Sequence, residues 1–263
     1  MPNRPERFLT SRVGGSTLFR VTKAPTMMIV NTGFFGFLKT SIGRKWVVAL
    51  SGLFLIFFVI VHMAGNLQMF APSPEVINRY AALLKANGLL LWGFRLALLA
   101  AAGLHIWAAL SLARENRAAK PLNYAVTGRK ARLGVTWASV TMVISGTVIL
   151  GFVIFHLLHF TAQVVDRSYM EMETVVDGKT MHDVHRMVVA GFSKPLISGF
   201  YVLAMGLLFF HLRHGAASVF QTVGIRDRTV SKVIESASWA LAVILFLGFS
   251  SIPVAVLLGV WKP

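Results

Sequence analysis

An all-α polytopic membrane protein with five transmembrane helices is the fold class this sequence predicts, and three observations carry it. The 263-residue chain is 56% hydrophobic and only 14% charged, with a mean hydropathy of +0.67. A soluble domain of this length needs more charge to cover its surface. Five apolar runs reach the roughly 20 residues that cross about 30 Å of hydrocarbon. The Lys and Arg residues behind the net charge of +16 sit between those runs, as membrane topology requires. A pI near 11.1 is therefore a topology signal and not the footprint of a nucleic-acid partner.

Residues 1–45 read as a basic cytoplasmic N-terminal segment, with eight Lys/Arg against one acid and no apolar stretch of the kind a cleavable signal needs. Within it GFFGFLK, residues 33–39, is expected to lie in the interface as a short amphipathic element. Residues 46–263 read as the transmembrane domain. Its spans are placed at about 46–70, 89–112, 133–162, 196–217 and 237–260. Each must be a helix, because a lone strand cannot satisfy its backbone in lipid.

The connecting segments set a direction. Residues 113–132 hold six Lys/Arg and one acid, and 213–235 hold four and two. Residues 163–195 hold four and five, and 68–88 only two and one. Positive charge marks the cytoplasmic side. The N-terminus and the two basic loops are thus expected inside, and the other two loops and the C-terminus outside, in a bacterial cytoplasmic membrane. The chain has no cysteine, which excludes disulfides, thiolate metal sites and iron–sulfur ligation by this chain.

Histidine is the residue with chemistry to explain. Burying an imidazole without a partner costs a few kcal/mol, yet VIFHLLHF places two of them, His156 and His159, in a run otherwise fit only for lipid. Six of the eight histidines lie in the first four spans. His182 and His185 fall in the polar outer loop and read as solvated. Direction then sorts the rest. His62 follows Lys45 by 17 residues, about 25 Å along an outward-running helix, and His156 lies ten residues before Asp166 at the outer end of the third span. His105 lies nine residues before Arg114 and His211 17 residues after Lys194, both toward the inside. The four rings form two depth-matched pairs from alternate helices, His62 with His156 and His105 with His211.

Two axial imidazoles from two helices of a membrane bundle suit haem b. A zinc site wants three or four ligands at one depth. Histidines that only bond helices together are the plainer alternative. Gly52, Gly65, Gly103, Gly206 and Gly215 leave room for a flat macrocycle or for close helix approach.

The motifs SIGRKWVVALSGLFLIFFVIVHMAGNLQMF, LHIWAALSLARENRAAKP, VIFHLLHFT and FFHLRHGAASVFQTVG occur in that order. In them the chain resembles the cytochrome b membrane-anchor subunit of succinate dehydrogenase and fumarate reductase (complex II), in its five-helix, two-haem form, from about Gly36 onward. The resemblance implies axial ligands at His62, His105, His156 and His211, with the first and third helices holding the outer haem and the second and fourth the inner one. In the fourth helix the family's histidine with glycines four and thirteen residues on matches His211, Gly215 and Gly224, and His214 does not fit. His159 is left to bond a haem propionate, line a quinone pocket or meet headgroup water. Arg95 needs a counter-charge inside the second span or snorkels to the interface. Arg44, Arg213 and His214 are further residues for propionate or quinone contact at the inner face.

The implied function is electron transport in the respiratory chain and tricarboxylic acid cycle. Electrons would pass from an iron–sulfur subunit, fed by a flavoprotein subunit, through two haems b to or from a membrane quinone, menaquinone in most of the family. A further small anchor subunit remains compatible with the sequence. The family's glutamate near the start of the second helix has no counterpart, because no acid occurs between Glu75 and Glu115. The dihaem cytochrome b of another quinone-linked enzyme, such as a hydrogenase or formate dehydrogenase, is the alternative.

Overall fold

The computed structural model describes residues 33–118, 137–225 and 227–261. Five of its helices are long and apolar enough to cross a membrane, with windows of mean hydropathy from 1.8 to 2.6. They are α2 (Ser41–Asn66), α4 (Gly88–Ala118), α5 (Trp137–His156, continued by a single wide turn Leu157–Thr161), α7 (Pro195–Thr222) and α8 (Arg228–Leu257). The protein is an all-α, multi-pass membrane protein. Short helices α1 (Phe34–Lys39), α3 (Glu75–Ala86) and α6 (Val184–Phe192) complete the set.

Local chemistry starts and stops these helices. Thr40 is extended, donates its hydroxyl to the Phe37 carbonyl at 2.7 Å and accepts from the Gly43 N–H at 3.0 Å. It ends α1 and caps α2 in one residue. A Cβ on Gly43 would run into the Phe37 carbonyl, so the tight step between the two helices requires glycine. Phe34–Lys39 forms a short helix that packs on the start of α2. The α2 helix begins five residues before the boundary read from hydropathy. Pro195 opens α7, where its missing N–H costs nothing, and Asp227 caps α8 by accepting from Thr229 and Val230 N–H at 2.9 Å.

Successive long helices run antiparallel. The packing is closest between α7 and α8 and between α2 and α4, with α5 and α2 both lying against α7. One end of the bundle is basic. There Arg44 at the start of α2 forms an ion pair with Glu115 at the end of α4. The other end is capped by α3, α6, a turn at Arg167–Glu171 and a hairpin of β1 (Glu173–Val176) with β2 (Lys179–His182). Asp177 and Gly178 both have positive φ, 52° and 72°, the signature of a type I′ hairpin turn. The main core lies under this cap. Met69, Tyr169, Val189, Phe192, Tyr201 and Ile252 are buried together there, and Trp261 closes on Phe70 and His185. A smaller core of Leu212, Ala242 and Leu245 joins α7 to α8.

Candidate functional site

The α2 and α5 helices bring His62 and His156 together. Their ring centroids are 5.9 Å apart with planes at 81°. A metal between two imidazoles needs about 2 Å to each nitrogen, which sets ring centres about 6 Å apart. His62 also stacks on Phe58 at 5.2 Å and 19°, while its carbonyl accepts from Asn66 Nδ2 at 2.7 Å. This pair lies toward the capped end.

The α4 and α7 helices carry the second pair toward the basic end. His105 rests against α2 at Ser51 and Gly52, and His211 against α5 at Ser145 and Gly146. His105 Nδ1 is 3.2 Å from the Val48 carbonyl and 3.3 Å from Ser51 Oγ. His211 Nδ1 is 3.2 Å from Ser145 Oγ. Each ring rests on a glycine. A Cβ on Gly52 would lie 3.1 Å from His105 Cε1, and one on Gly146 3.4 Å from His211 Cε1. Among the described residues no group of three or more His, Asp or Glu side chains converges.

His159 does not meet headgroup water. It is fully buried, because the wide turn Leu157–Thr161 carries it under the cap. Such turns recur at functional positions. Its Nδ1 is 3.0 Å from the Tyr201 hydroxyl and its Nε2 3.5 Å from the Tyr169 hydroxyl. The Tyr201 hydroxyl also lies 3.4 Å from His156 Nδ1. Beyond Tyr169, Lys194 bonds Asp166 at 2.8 Å. That bond, with help from Ser168, holds the Asp166 carboxyl down at about 2 and raises the Lys194 ammonium.

The remaining sequence-predicted residues divide. Arg95 lies over the Trp92 ring at 5.0 Å, a cation–π contact, and no carboxylate among the described residues pairs with it. Arg44 uses its terminal nitrogen on Glu115, and its Nε is buried without a partner among the described residues. Arg213 lines a shallow groove with Lys232, Glu235, Ser236 and Trp239. His214 is half-buried and makes no side-chain hydrogen bond among the described residues. His182 and His185 are half-buried, not freely solvated: His182 Nε2 is 3.0 Å from Gln163 Nε2, and His185 packs edge-on against Trp261. Burial pushes both imidazoles below their usual range.

Sequence reading missed Ser51, Ser145, Gly146, Tyr169 and Tyr201. The first three were visible as a pattern. SG followed by nine residues and histidine occurs twice, at Ser51–His62 and at Ser145–His156. Tyr169 comes from a loop whose placement no periodicity announces. Comparison with protein-family models, curated proteins and solved structures returns no match.

Proposed function

We propose that this chain is the cytochrome b membrane-anchor subunit of a succinate:quinone oxidoreductase, holding two haem b groups. The observation that carries the reading is the His62–His156 pair at one level, with His105 and His211 seated on α2 and α5 at the other. His62 and His156 would be the axial ligands at the capped end, His105 and His211 those at the basic end. The donor set fits. The 5.9 Å between the His62 and His156 ring centres leaves room for a shared iron, Gly52 and Gly146 seat the other two rings, and the Arg44 Nε, without a partner among the described residues, offers a propionate a donor.

Held by these four histidines, two haems would supply one-electron transfer. The protein's own part is ligation, orientation and a dry interior. The basic end is the cytoplasmic side in this reading, where Arg and Lys favour docking of the flavoprotein and iron–sulfur subunits. At the capped end His159, Tyr201 and Tyr169 are the groups able to hold protons next to the His62–His156 level, where quinone chemistry needs them.

Purification in mild detergent, a haem-to-protein ratio and a redox titration test the proposal. Two haems b per chain with two resolved potentials are expected. A chain fully expressed in haem-replete cells that shows no reduced α-band overturns it.

A further inference from the structure

The hydroxyl of Ser51 has one proton, and it goes to the Val47 carbonyl of its own helix. Ser145 spends its proton in the same way, on the Met142 carbonyl at 3.1 Å. A hydroxyl that has given its proton can only accept from a third partner. The Val48 carbonyl can never donate. The proton in the His105 contacts must therefore sit on Nδ1, and the same tautomer at His211 is the one that leaves the Ser145 proton on the Met142 carbonyl. His105 Nδ1–H donates to Val48 O and Ser51 Oγ, and His211 Nδ1–H donates to Ser145 Oγ. Nε2 of each ring is left with its lone pair and no partner among the described residues. Ser51 and Ser145 are themselves buried, 8% exposed each, so water does not compete for these bonds.

The same two helices ligate the other level. Ser51 precedes His62 by eleven residues, as Ser145 precedes His156. Eleven residues make three turns with about 20° left over and roughly 16 Å of rise. Serine and histidine thus share one face of α2, and again of α5, at two depths.

We propose, building on the reading above, that Ser51 and Ser145 are positioning residues for the haem at the basic end. By accepting Nδ1–H they fix the tautomer of His105 and His211, present Nε2 to iron and raise the basicity of both ligands. A more basic imidazole favours ferric over ferrous iron and lowers the potential. The two serines are unequal. His105 keeps the Val48 carbonyl if Ser51 is lost, whereas Ser145 is the single side-chain partner of His211 among the described residues.

The test is a redox titration with low-temperature EPR of the full chain, purified with any subunits that accompany it. Outer-shell partners change metal affinity by roughly tenfold or more. A tenfold loss of ferric preference reads as about 59 mV upward for a one-electron couple. Ser145→Ala should raise one potential by that order and shift one low-spin ferric signal. The other haem should not move. Ser51→Ala should shift the same haem by less, and Ser145→Thr, which keeps the hydroxyl, should restore it. Loss of that haem in Ser145→Ala with retention in Ser145→Thr also supports the proposal. Two fully loaded haems with unmoved potentials and signals in both alanine variants overturn this inference and leave the functional reading standing. A wild-type chain without haem overturns both.

Discussion

The glycine seats under His105 and His211 differ by a few tenths of an ångström, and that difference has a measurable sign. A methyl group on Gly146 would lie 3.4 Å from His211 Cε1, an ordinary contact, while one on Gly52 would lie 3.1 Å from Cε1 and 3.4 Å from Nδ1 of His105. Alanine in a helix interior gains about 1 kcal/mol over glycine. Gly146→Ala should keep that gain. In Gly52→Ala the imidazole must retreat, and its bonds to Val48 O and Ser51 Oγ, already 3.2 and 3.3 Å, lengthen past useful geometry. Each is worth about 1 kcal/mol, so the gain is cancelled or reversed, and the two variants should differ by about 1–2 kcal/mol. For a chain of this size 1 kcal/mol moves the midpoint by about 2–4 °C. Thermal unfolding of the detergent-solubilised chain, followed by tryptophan fluorescence, should place Gly146→Ala above wild type and Gly52→Ala at or below it. An equal rise in both refutes the seating of His105 on Gly52.

Other outcomes follow from the same geometry. His62→Ala or His156→Ala should reduce the haem count from two to one, as should His105→Ala or His211→Ala at the other level, while His214→Ala leaves two. If both haems survive His211→Ala and one vanishes with His214→Ala, the assignment in α7 is wrong. The cap should be acid-sensitive in two windows. His182 and His185 are held below their ordinary 6.5 by burial, so the unfolded chain binds their protons more readily and stability falls as pH drops below 6.5. Asp166 sits near 2 against an ordinary 3.8. Its contribution is complete above 3.8 and disappears as pH falls toward 2, and Asp166→Asn should flatten that lower limb in melts taken across the range.

The five long helices were legible because lipid leaves the backbone no alternative. Their ends were not. Hydropathy stops where hydrocarbon stops, whereas the α4 helix continues through Arg114, Glu115 and Arg117, and α8 begins at Arg228 under its Asp227 cap. Water ends the apolar run, and capping chemistry ends the helix. The cap itself was read as loop, although Asp177-Gly178 was a hairpin signal in plain view. The α3 and α6 helices are only 12 and 9 residues long, too short to stand out beside spans of lipid-soluble sequence. They are held by packing and by Asn78, which bridges Asp183 and the His185 N–H at 3.1 and 3.0 Å.

The pairing of His62 with His156 shows how far direction and rise can carry a sequence argument, and His159 shows where they fail. Depth along a helix is additive, so residue counting from charged ends placed two rings at one level without any knowledge of packing. Burial is not additive. Counting put His159 one further turn toward water, yet the wide turn Leu157–Thr161 and the Tyr169 side chain from the following loop enclose it completely. The serine contacts belong to a third kind. Ser51 and Ser145 are unremarkable alone, since serines in membrane helices commonly bond their own backbone. Their meaning appears only when each is set beside the histidine eleven residues on and the one across the bundle. A helix that presents an acceptor at one depth and a histidine three turns later couples the two levels mechanically. Rotating α2 to improve His62 swings Ser51 away from His105. The face of α2 is therefore fixed from both levels at once, and the same holds for α5.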